Sequence, residues 1–140
     1  MKFFLTGLLL ILSPVFLPVK AQQAAPGAKH KKHQPGDIHE GIASYYGEKF
    51  RGKKTHIDEI FNPDKLSAAC NILPLRTWVK VTNLRNNKSV VLRINDRMNP
   101  RNKRLIDVSA KAARELGFYA RGLTRVRLEV LKGPPKETGE

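Results

Sequence analysis

The sequence predicts a mainly β domain whose short strands close into a small barrel, interrupted by one or two short helices. Several segments alternate apolar and polar residues with the period of two that is typical of a half-buried strand. One segment with helical spacing lies among them. The chain has only 140 residues, and an open sheet in so small a domain would leave its strand edges exposed. A closed barrel is therefore the expected architecture.

Five segments carry the strand pattern, and glycine, asparagine or charged residues separate them. The residues between the second and third segments, 85–88, predict a hairpin. The third segment is the clearest, because Val90, Leu92 and Ile94 share one face of it. The predicted strands cover residues 41–47, 78–84, 89–97, 105–108 and 123–131.

Two helices are expected between the strands. The first is short and covers residues 64–70. The second begins after Ser109, whose hydroxyl can accept a hydrogen bond from the first turn, and it ends before Gly117, which tolerates a left-handed backbone. Ala112 and Leu116 lie four residues apart on the predicted buried side of this helix.

The third strand delivers Asn95, Asp96 and Arg97 to its own exit, where residues 98–102 predict a turn. A carboxylate at the end of a rigid strand is well placed for chemistry. The structural alternative is that Asp96 only caps the turn and pairs with Arg97.

The first residues predict a secretory signal peptide over residues 1–21. Lys2 precedes an apolar run that Pro14 and Pro18 interrupt, and this run is shorter than the ~20 residues of a membrane span. We expect cleavage after Ala21, with Ala25 as a second choice and an uncleaved N-terminal anchor as the alternative. Because no cysteine lies near the cut, we expect a periplasmic or secreted protein that is not a lipoprotein and has no transmembrane segment.

The remaining organisation is a basic flexible linker over residues 22–36, a folded domain over residues 37–131 and a disordered tail over residues 132–140. His30 and His33, with His39 nearby, could bind a metal ion loosely. A solvated basic linker is the favoured interpretation, because a metal site needs more ligands in a fixed geometry. The sequence therefore predicts no metal and no cofactor.

The formal net charge of +14 indicates attraction to polyanions such as cell-wall polymer, acidic lipid or nucleic acid. Removal of the leader takes away two lysines and no acid, which leaves +12. Export argues against genomic nucleic acid as the partner. Cys70 is the only cysteine, so it is either buried or available for pairing between chains.

The ordered motifs of the folded domain resemble the rare lipoprotein A (RlpA) family. They are residues 41–47 (Gly-Ile-Ala-Ser-Tyr-Tyr-Gly), 50–52 (Phe-Arg-Gly), 55–59, 66–69 (Leu-Ser-Ala-Ala) with 73–74 (Leu-Pro), 79–84 (Val-Lys-Val-Thr-Asn-Leu), 91–97 (Val-Leu-Arg-Ile-Asn-Asp-Arg) and 106–109 (Ile-Asp-Val-Ser) with 112–113 and 116–117. The resemblance implies a six-stranded double-psi β-barrel. It further implies a lytic transglycosylase that cuts peptidoglycan glycan strands lacking stem peptides.

The resemblance also implies the site residues. The two functional acids of the family fall on Glu59 and Asp96. We expect Asp96 to act as acid and base and Glu59 to support charge or position the sugar. The substrate-binding residues are expected to be Tyr46, Thr55, Asn95 and Arg97. Peptidoglycan is the expected partner of a monomeric protein, with cell-division or wall-synthesis proteins as further partners.

Three departures from the family pattern leave the function open. The family sequence Thr-Ala-Asn-Gly-Glu is Thr-His-Ile-Asp-Glu at residues 55–59, so a glycine and its turn are expected to be lost. Cys70 replaces a histidine that would titrate near the cleft. Met98-Asn99-Pro100 replaces Gly-Pro after Asp96 and Arg97. An active transglycosylase, a glycan-binding barrel without turnover, and a basic exported protein that binds another polyanion are the three hypotheses.

Overall fold

A computed structural model describes residues 33–136 of the chain. The predicted signal peptide, most of the predicted linker and the last four residues lie outside the described part. Within it, one α-helix (α1, Ala110–Glu115) and one 3-10 turn (Glu48–Phe50) accompany six strands. The strands are β1 (Ile38–Tyr45), β2 (Ser67–Ala69), β3 (Trp78–Asn83), β4 (Ser89–Asp96), β5 (Ile106–Val108) and β6 (Thr124–Val130).

The six strands form a closed barrel in the order β1-β5-β2-β4-β3-β6. Two neighbouring pairs, β1 with β5 and β2 with β4, are parallel, and the other pairs are antiparallel. The predicted hairpin is present, since β3 and β4 are antiparallel with Val81 opposite Val90. The prediction of a six-stranded, mainly β barrel is confirmed.

The barrel interior is filled by aliphatic side chains that alternate along the strands. Val90, Leu92 and Ile94 of β4 are buried as predicted, together with Val79 and Val81 of β3. On β6 the same alternation points arginines outward and valine and leucine inward. This packing fixes β4, and the position of Asp96 at its end follows from the core.

The predicted helix over residues 64–70 is wrong. Residues 63–65 form a turn, and Ser67–Ala69 form the short strand β2. All three residues of β2 are buried, because β2 lies between β4 and β5 in the barrel. A strand that is buried on both faces shows no alternation of apolar and polar residues, and its two alanines favour a helix by residue type. Backbone pairing with β4 and β5 makes the segment a strand.

The predicted ends of α1 are confirmed. The Ser109 hydroxyl accepts a hydrogen bond from the backbone N–H of Ala112 at 3.3 Å. Gly117 follows the helix with φ of +74°, the left-handed conformation that glycine adopts without strain. Ala112, Ala113 and Leu116 are buried against the barrel.

Strand β1 begins three residues earlier than predicted, because Ile38 pairs with Glu129 of β6 in a ladder that the alternation of side chains alone did not reveal. Among the described residues, no helix has the length and apolar character needed to cross a membrane.

Candidate active site at the end of strand β4

The end of β4 carries the polar side chains that the sequence singled out. Asn95 and Asp96 are consecutive residues of an extended strand, so their side chains leave it on opposite sides. The loop of residues 55–59 crosses this end. It contributes a backbone N–H to Asp96 and a carboxylate to Asn95. The structure therefore brings Thr55, Glu59, Asn95 and Asp96 into one region.

Asp96 is held by three hydrogen-bond donors. Its Oδ1 accepts from the backbone N–H of His56 at 3.0 Å and from the N–H of Arg97 at 2.8 Å. Its Oδ2 accepts from the hydroxyl of Tyr46 at 3.3 Å. The side chain is 22% exposed, so it is fixed in position but remains open to a ligand.

Tyr46 belongs to an aromatic wall beside Asp96. The Tyr46 ring lies 5.0 Å from the ring of Phe61 and 5.4 Å from that of Phe50, centroid to centroid. Burial raises the pKa of Tyr46, and the charges of Asp96 and Asp107 raise it further. The phenol therefore stays protonated and donates its hydrogen bond to Asp96. Aromatic faces of this kind are suited to packing against a sugar ring.

Glu59 lies in a different environment. The guanidinium of Arg93 donates to Oε1, and Asn95 Nδ2 lies 3.3 Å from Oε2. Desolvation opposes ionisation, but the hydrogen bonds from Arg93 and Asn95 and the nearby arginine charges outweigh it and lower the pKa of Glu59. Glu59 is therefore ionised at neutral pH.

The turn that presents Glu59 is preserved, contrary to the expectation from its missing glycine. Asp58 takes the left-handed conformation itself, with φ of +61°. The turn closes with hydrogen bonds from Asp58 N to Thr55 O at 3.1 Å and from Thr55 N to Glu59 O at 2.8 Å. Aspartate is among the few non-glycine residues that visit this region readily. Losing the glycine has not removed the turn.

Cys70 does not lie in the cleft. Its side chain is fully buried in the hydrophobic core, and burial raises the pKa of its thiol. The choice between a buried thiol and one available for pairing is thus settled in favour of burial. The replaced histidine position does not contribute a titratable group to the described site.

Arg97 is committed to the backbone. Its guanidinium donates to the carbonyl oxygens of Cys70 and Leu73, which ties residues 70–73 to the end of β4. It also does not form the ion pair with Asp96 that the structural alternative required, and only its backbone N–H reaches that carboxylate. The side chain of Arg97 therefore supports the rim. It also lines the cavity that contains Asp96, so its expected role in substrate binding stays a prediction.

Asp96 and Glu59 line separate cavities. A cavity of about 540 Å³ contains Asp96 with Tyr46, Phe50 and Lys49. A second, of about 480 Å³, contains Glu59 with Arg93 and Asn95. A larger depression of about 630 Å³ has no carboxylate in its lining, so it cannot supply acid–base chemistry. Its lining comprises Ile42, Leu84, Arg85, Arg121, Leu123, Thr124 and Arg125.

Two predicted binding residues hold unused acceptors. Thr55 Oγ1 and Asn95 Oδ1 are buried and have no hydrogen-bond partner among residues 33–136. An unpaired buried polar atom costs about 1–3 kcal/mol. Both atoms belong to residues beside the two carboxylates, Asn95 being next to Asp96 in the chain and in contact with Glu59.

Sequence reasoning missed Arg93, His56 and Asp107 as parts of the site. Arg93 could have been found, because it shares the face of β4 with Asn95. His56 acts through its backbone N–H, which residue type does not reveal. Asp107 lines the Asp96 cavity, where it accepts from Ser44 at 2.7 Å and pairs with Arg104 at 2.8 Å. Both contacts fix the Asp107 side chain, so it serves to hold the wall of the cavity.

Comparisons with known proteins identify the family of the chain. The family described as "Lytic transglycolase" matches residues 38–128. The "Endolytic peptidoglycan transglycosylase RlpA" of Rickettsia bellii is 46% identical over 120 residues, which cover 83% of this chain and 53% of that protein. The protein of the same name from Haemophilus influenzae is 48% identical over 94 residues, covering 67% of this chain and 33% of that one. This chain thus matches about half or less of either relative.

Solved structures show the same fold at low identity. The Streptomyces papain inhibitor superposes with a TM-score of 0.58 at 18% identity, covering 70% of this chain and 97% of that one. A mutant Clavibacter michiganensis expansin, solved in complex with cellohexaose, has a TM-score of 0.57 at 16% identity and covers 73% of this chain and 54% of that one. The chain therefore belongs to the RlpA family of double-psi β-barrel proteins, as its motifs, its closed six-stranded barrel and the family match indicate.

Proposed function

We propose that this protein is an exported lytic transglycosylase that cleaves peptidoglycan glycan strands lacking stem peptides and leaves 1,6-anhydro-muramic acid ends. Membership of the RlpA family supports the reaction type. The main support for the proposal is the difference in environment between the two acids, Asp96 and Glu59. Asp96 is fixed at the rim of an aromatic cleft, while Glu59 is ion-paired with Arg93 in the neighbouring cavity.

The reaction needs one group that donates a proton and then accepts one. A protonated Asp96 donates its proton to the glycosidic oxygen as the bond from that oxygen to C1 of the muramyl residue breaks. The 6-hydroxyl oxygen of the same residue bonds to C1, and its proton passes to the Asp96 carboxylate. The ring closes, Asp96 regains its proton, and no water is consumed.

The surroundings of Asp96 suit this double role. Among residues 33–136, the only basic side chain within 4.0 Å of the Asp96 carboxylate is His56, with Nδ1 at 4.0 Å from Oδ1. The remaining contacts come from neutral donors, Tyr46 and two backbone N–H groups. Protonation of Asp96 therefore breaks no contact with a lysine or arginine side chain, whereas protonation of Glu59 would break its pair with Arg93.

Glu59 supports the reaction without exchanging a proton. Bond cleavage develops positive charge on the sugar ring, and a carboxylate that stays ionised stabilises such charge. Its pair with Arg93 and its contact with Asn95 keep it ionised and fixed. The unpaired acceptors of Thr55 and Asn95 provide further contacts to a glycan that crosses the end of β4.

Incubation of the purified protein with denuded glycan strands tests this function. Mass spectrometry should detect products that end in 1,6-anhydro-muramic acid, and strands that keep their stem peptides should be cleaved more slowly. Retention on glycan without such products would favour the glycan-binding barrel without turnover. The absence of both cleavage and retention would overturn the proposal and would favour another polyanion as the partner.

Export is the second part of the proposal, and the leader pattern of residues 1–21 supports it. Mass spectrometry of the protein isolated from its native cells should find an N-terminus near Gln22, outside the cytoplasm and without a lipid. An intact Met1 in a membrane fraction would contradict it.

A further inference from the structure

Two imidazoles and a carboxylate come together where the chain enters the barrel. His33, Asp37 and His39 each offer one ligand atom, and these atoms lie within 4.8 Å of one another. The rings of His33 and His39 lie 5.4 Å apart, centroid to centroid, with an angle of 60° between their planes. Sequence alone favoured a solvated linker for this region, but the fold places His33 beside His39.

The backbone around this cluster is ordered by hydrogen bonds to β6. Gly36 N donates to Val130 O at 2.8 Å, and Val130 N donates to Asp37 O at 2.9 Å. His39 lies within β1, opposite Leu128. Asp37 uses Oδ2 to accept from Gln34 N at 2.9 Å, which leaves Oδ1 available. The turn of residues 34–37 thus folds His33 back towards the strand that carries His39.

The two imidazoles carry unpaired nitrogens. His33 Nδ1 and His39 Nε2 are buried and have no hydrogen-bond partner among the described residues. Leaving a buried polar atom unpaired costs about 1–3 kcal/mol. Two such atoms in one cluster, next to a carboxylate oxygen, point to a ligand that accepts electron pairs from all three groups. A divalent transition metal ion is such a ligand.

We propose that His33, Asp37 and His39 form a binding site for a divalent transition metal ion, with Zn²⁺ as the ion that best fits two imidazoles and one carboxylate. A tetrahedral Zn²⁺ with ligand bonds near 2.0–2.1 Å separates its ligand atoms by about 3.3 Å. The cluster therefore contracts on binding, and His33, which precedes β1, supplies the movement. Water completes the fourth position.

The site is distinct from the Asp96 cleft. His39 lies near the start of β1 and Tyr46 directly follows its last residue, Tyr45, so the two are seven residues or roughly 23 Å apart along an extended chain. The metal ion therefore takes no part in glycan cleavage. It fastens the segment from His33 to Asp37 onto the barrel, and this role does not depend on the proposed enzymatic function.

Calorimetric titration of the untagged full chain with ZnCl₂ tests the proposal. The wild-type protein should bind one ion per chain. His33→Ala and His39→Gln should each lower the affinity by at least about tenfold, as expected for the loss of a ligand. His56→Ala is the matched control, since it removes an exposed histidine outside the cluster, and it should retain the wild-type affinity.

Two outcomes would overturn the site: no saturable binding to the wild type, or wild-type affinity in His33→Ala. Because His39 lies in a strand, circular dichroism should first establish that each variant is folded. If His39→Gln is unfolded, the affinity of His33→Ala alone decides the test. Nuclear magnetic resonance gives an independent readout. Zn²⁺ should shift the ring signals of His33 and His39, whereas a shift confined to His56 would also contradict the assignment.

Discussion

Asp96 and Glu59 are both carboxylates at one end of the barrel, yet their partners differ in kind. Glu59 faces the permanent charge of Arg93, and the pKa of Glu59 is lowered as a result of its hydrogen bonds and the arginine charges. Asp96 faces a phenol, two backbone N–H groups and the imidazole of His56, whose Nδ1 lies 4.0 Å from Asp96 Oδ1. Glu59 is held in the ionised form by an arginine, whereas Asp96 accepts its hydrogen bonds from neutral donors.

Because their partners differ, the two acids need not act as the pair that is usual in glycoside hydrolysis. The reaction proposed here needs one proton shuttle and one fixed negative charge. Successive residues of β4 separate the two environments, because Asn95 contacts Glu59 while Asp96 faces the aromatic wall. Substitutions on either side of β4 should therefore affect the rate and the stability in different ways.

Asp96→Asn should produce the largest loss. The amide keeps the size of the side chain but cannot donate the required proton, so the rate should fall by ~10² to 10⁴, or roughly 3 to 5 kcal/mol of barrier. Glycan binding should persist, since the cleft is unchanged. Initial rates on denuded glycan and sedimentation with sacculi measure the two quantities. Loss of binding in parallel with rate would show that Asp96 serves recognition.

Asp58→Val should destabilise the fold by about 1–2 kcal/mol, because a β-branched residue is strained at φ of +61°. Urea unfolding measures this change. Asp58→Gly is the control, because glycine adopts this φ without strain. Its free energy of unfolding should stay within about 1 kcal/mol of the wild-type value. The valine variant should also lose activity, since the same turn positions His56 N and Glu59. Equal stability of the two variants would remove the strain argument.

Tyr46→Phe should slow the reaction by about 2- to 13-fold, which corresponds to one hydrogen bond of about 0.5–1.5 kcal/mol. The ring and its contacts with Phe50 and Phe61 remain, so binding should change little. Tyr119→Phe is the matched control. Tyr119 stacks on Tyr45 at 4.6 Å and forms no hydrogen bond with Asp96. An equal loss in both variants would indicate a general effect of removing a phenol.

The Glu59–Arg93 pair should give a small, pH-dependent stabilisation. The pKa of Glu59 is lower in the folded protein than in the unfolded chain, so its contribution is present above the unfolded pKa and is lost as the pH falls through the folded one. Both side chains are about one-third exposed or more, at 33% and 40%, which limits the effect to about 1 kcal/mol or less. Between pH 7 and 3, Glu59→Gln should lose less unfolding free energy than the wild type. A steeper loss in the variant would contradict the assigned direction.

Much of the fold could be predicted from local pattern. The alternation of β4, the hairpin to β3 and the Ser109 and Gly117 ends of α1 each follow from a few neighbouring residues. Strand β2 could not be predicted in this way. Its three residues are buried by β4 and β5, which are distant in sequence, and two of them are alanines that favour helices elsewhere.

The site divides in the same manner. Glu59 and Asp96 were predicted from the sequence and its family resemblance. In the structure Asp96 ends β4, and Glu59 lies in the loop that contacts Asn95 at the same end. The sequence could not show that Asp58 replaces the conformation of a glycine, that Cys70 is buried in the core, or that Arg97 binds backbone carbonyls. The proximity of His33 and His39 could not be predicted either, because it depends on hydrogen bonds between the turn at residues 34–37 and β6.

The most direct test compares Asp96→Asn with Glu59→Gln on the same denuded glycan, with anhydro-muramic ends counted by mass spectrometry. We expect Asp96→Asn to release almost none, and Glu59→Gln to retain a measurable rate because it loses support but not the proton shuttle. Release at the wild-type rate by Asp96→Asn, together with none from Glu59→Gln, would show that the two roles are reversed.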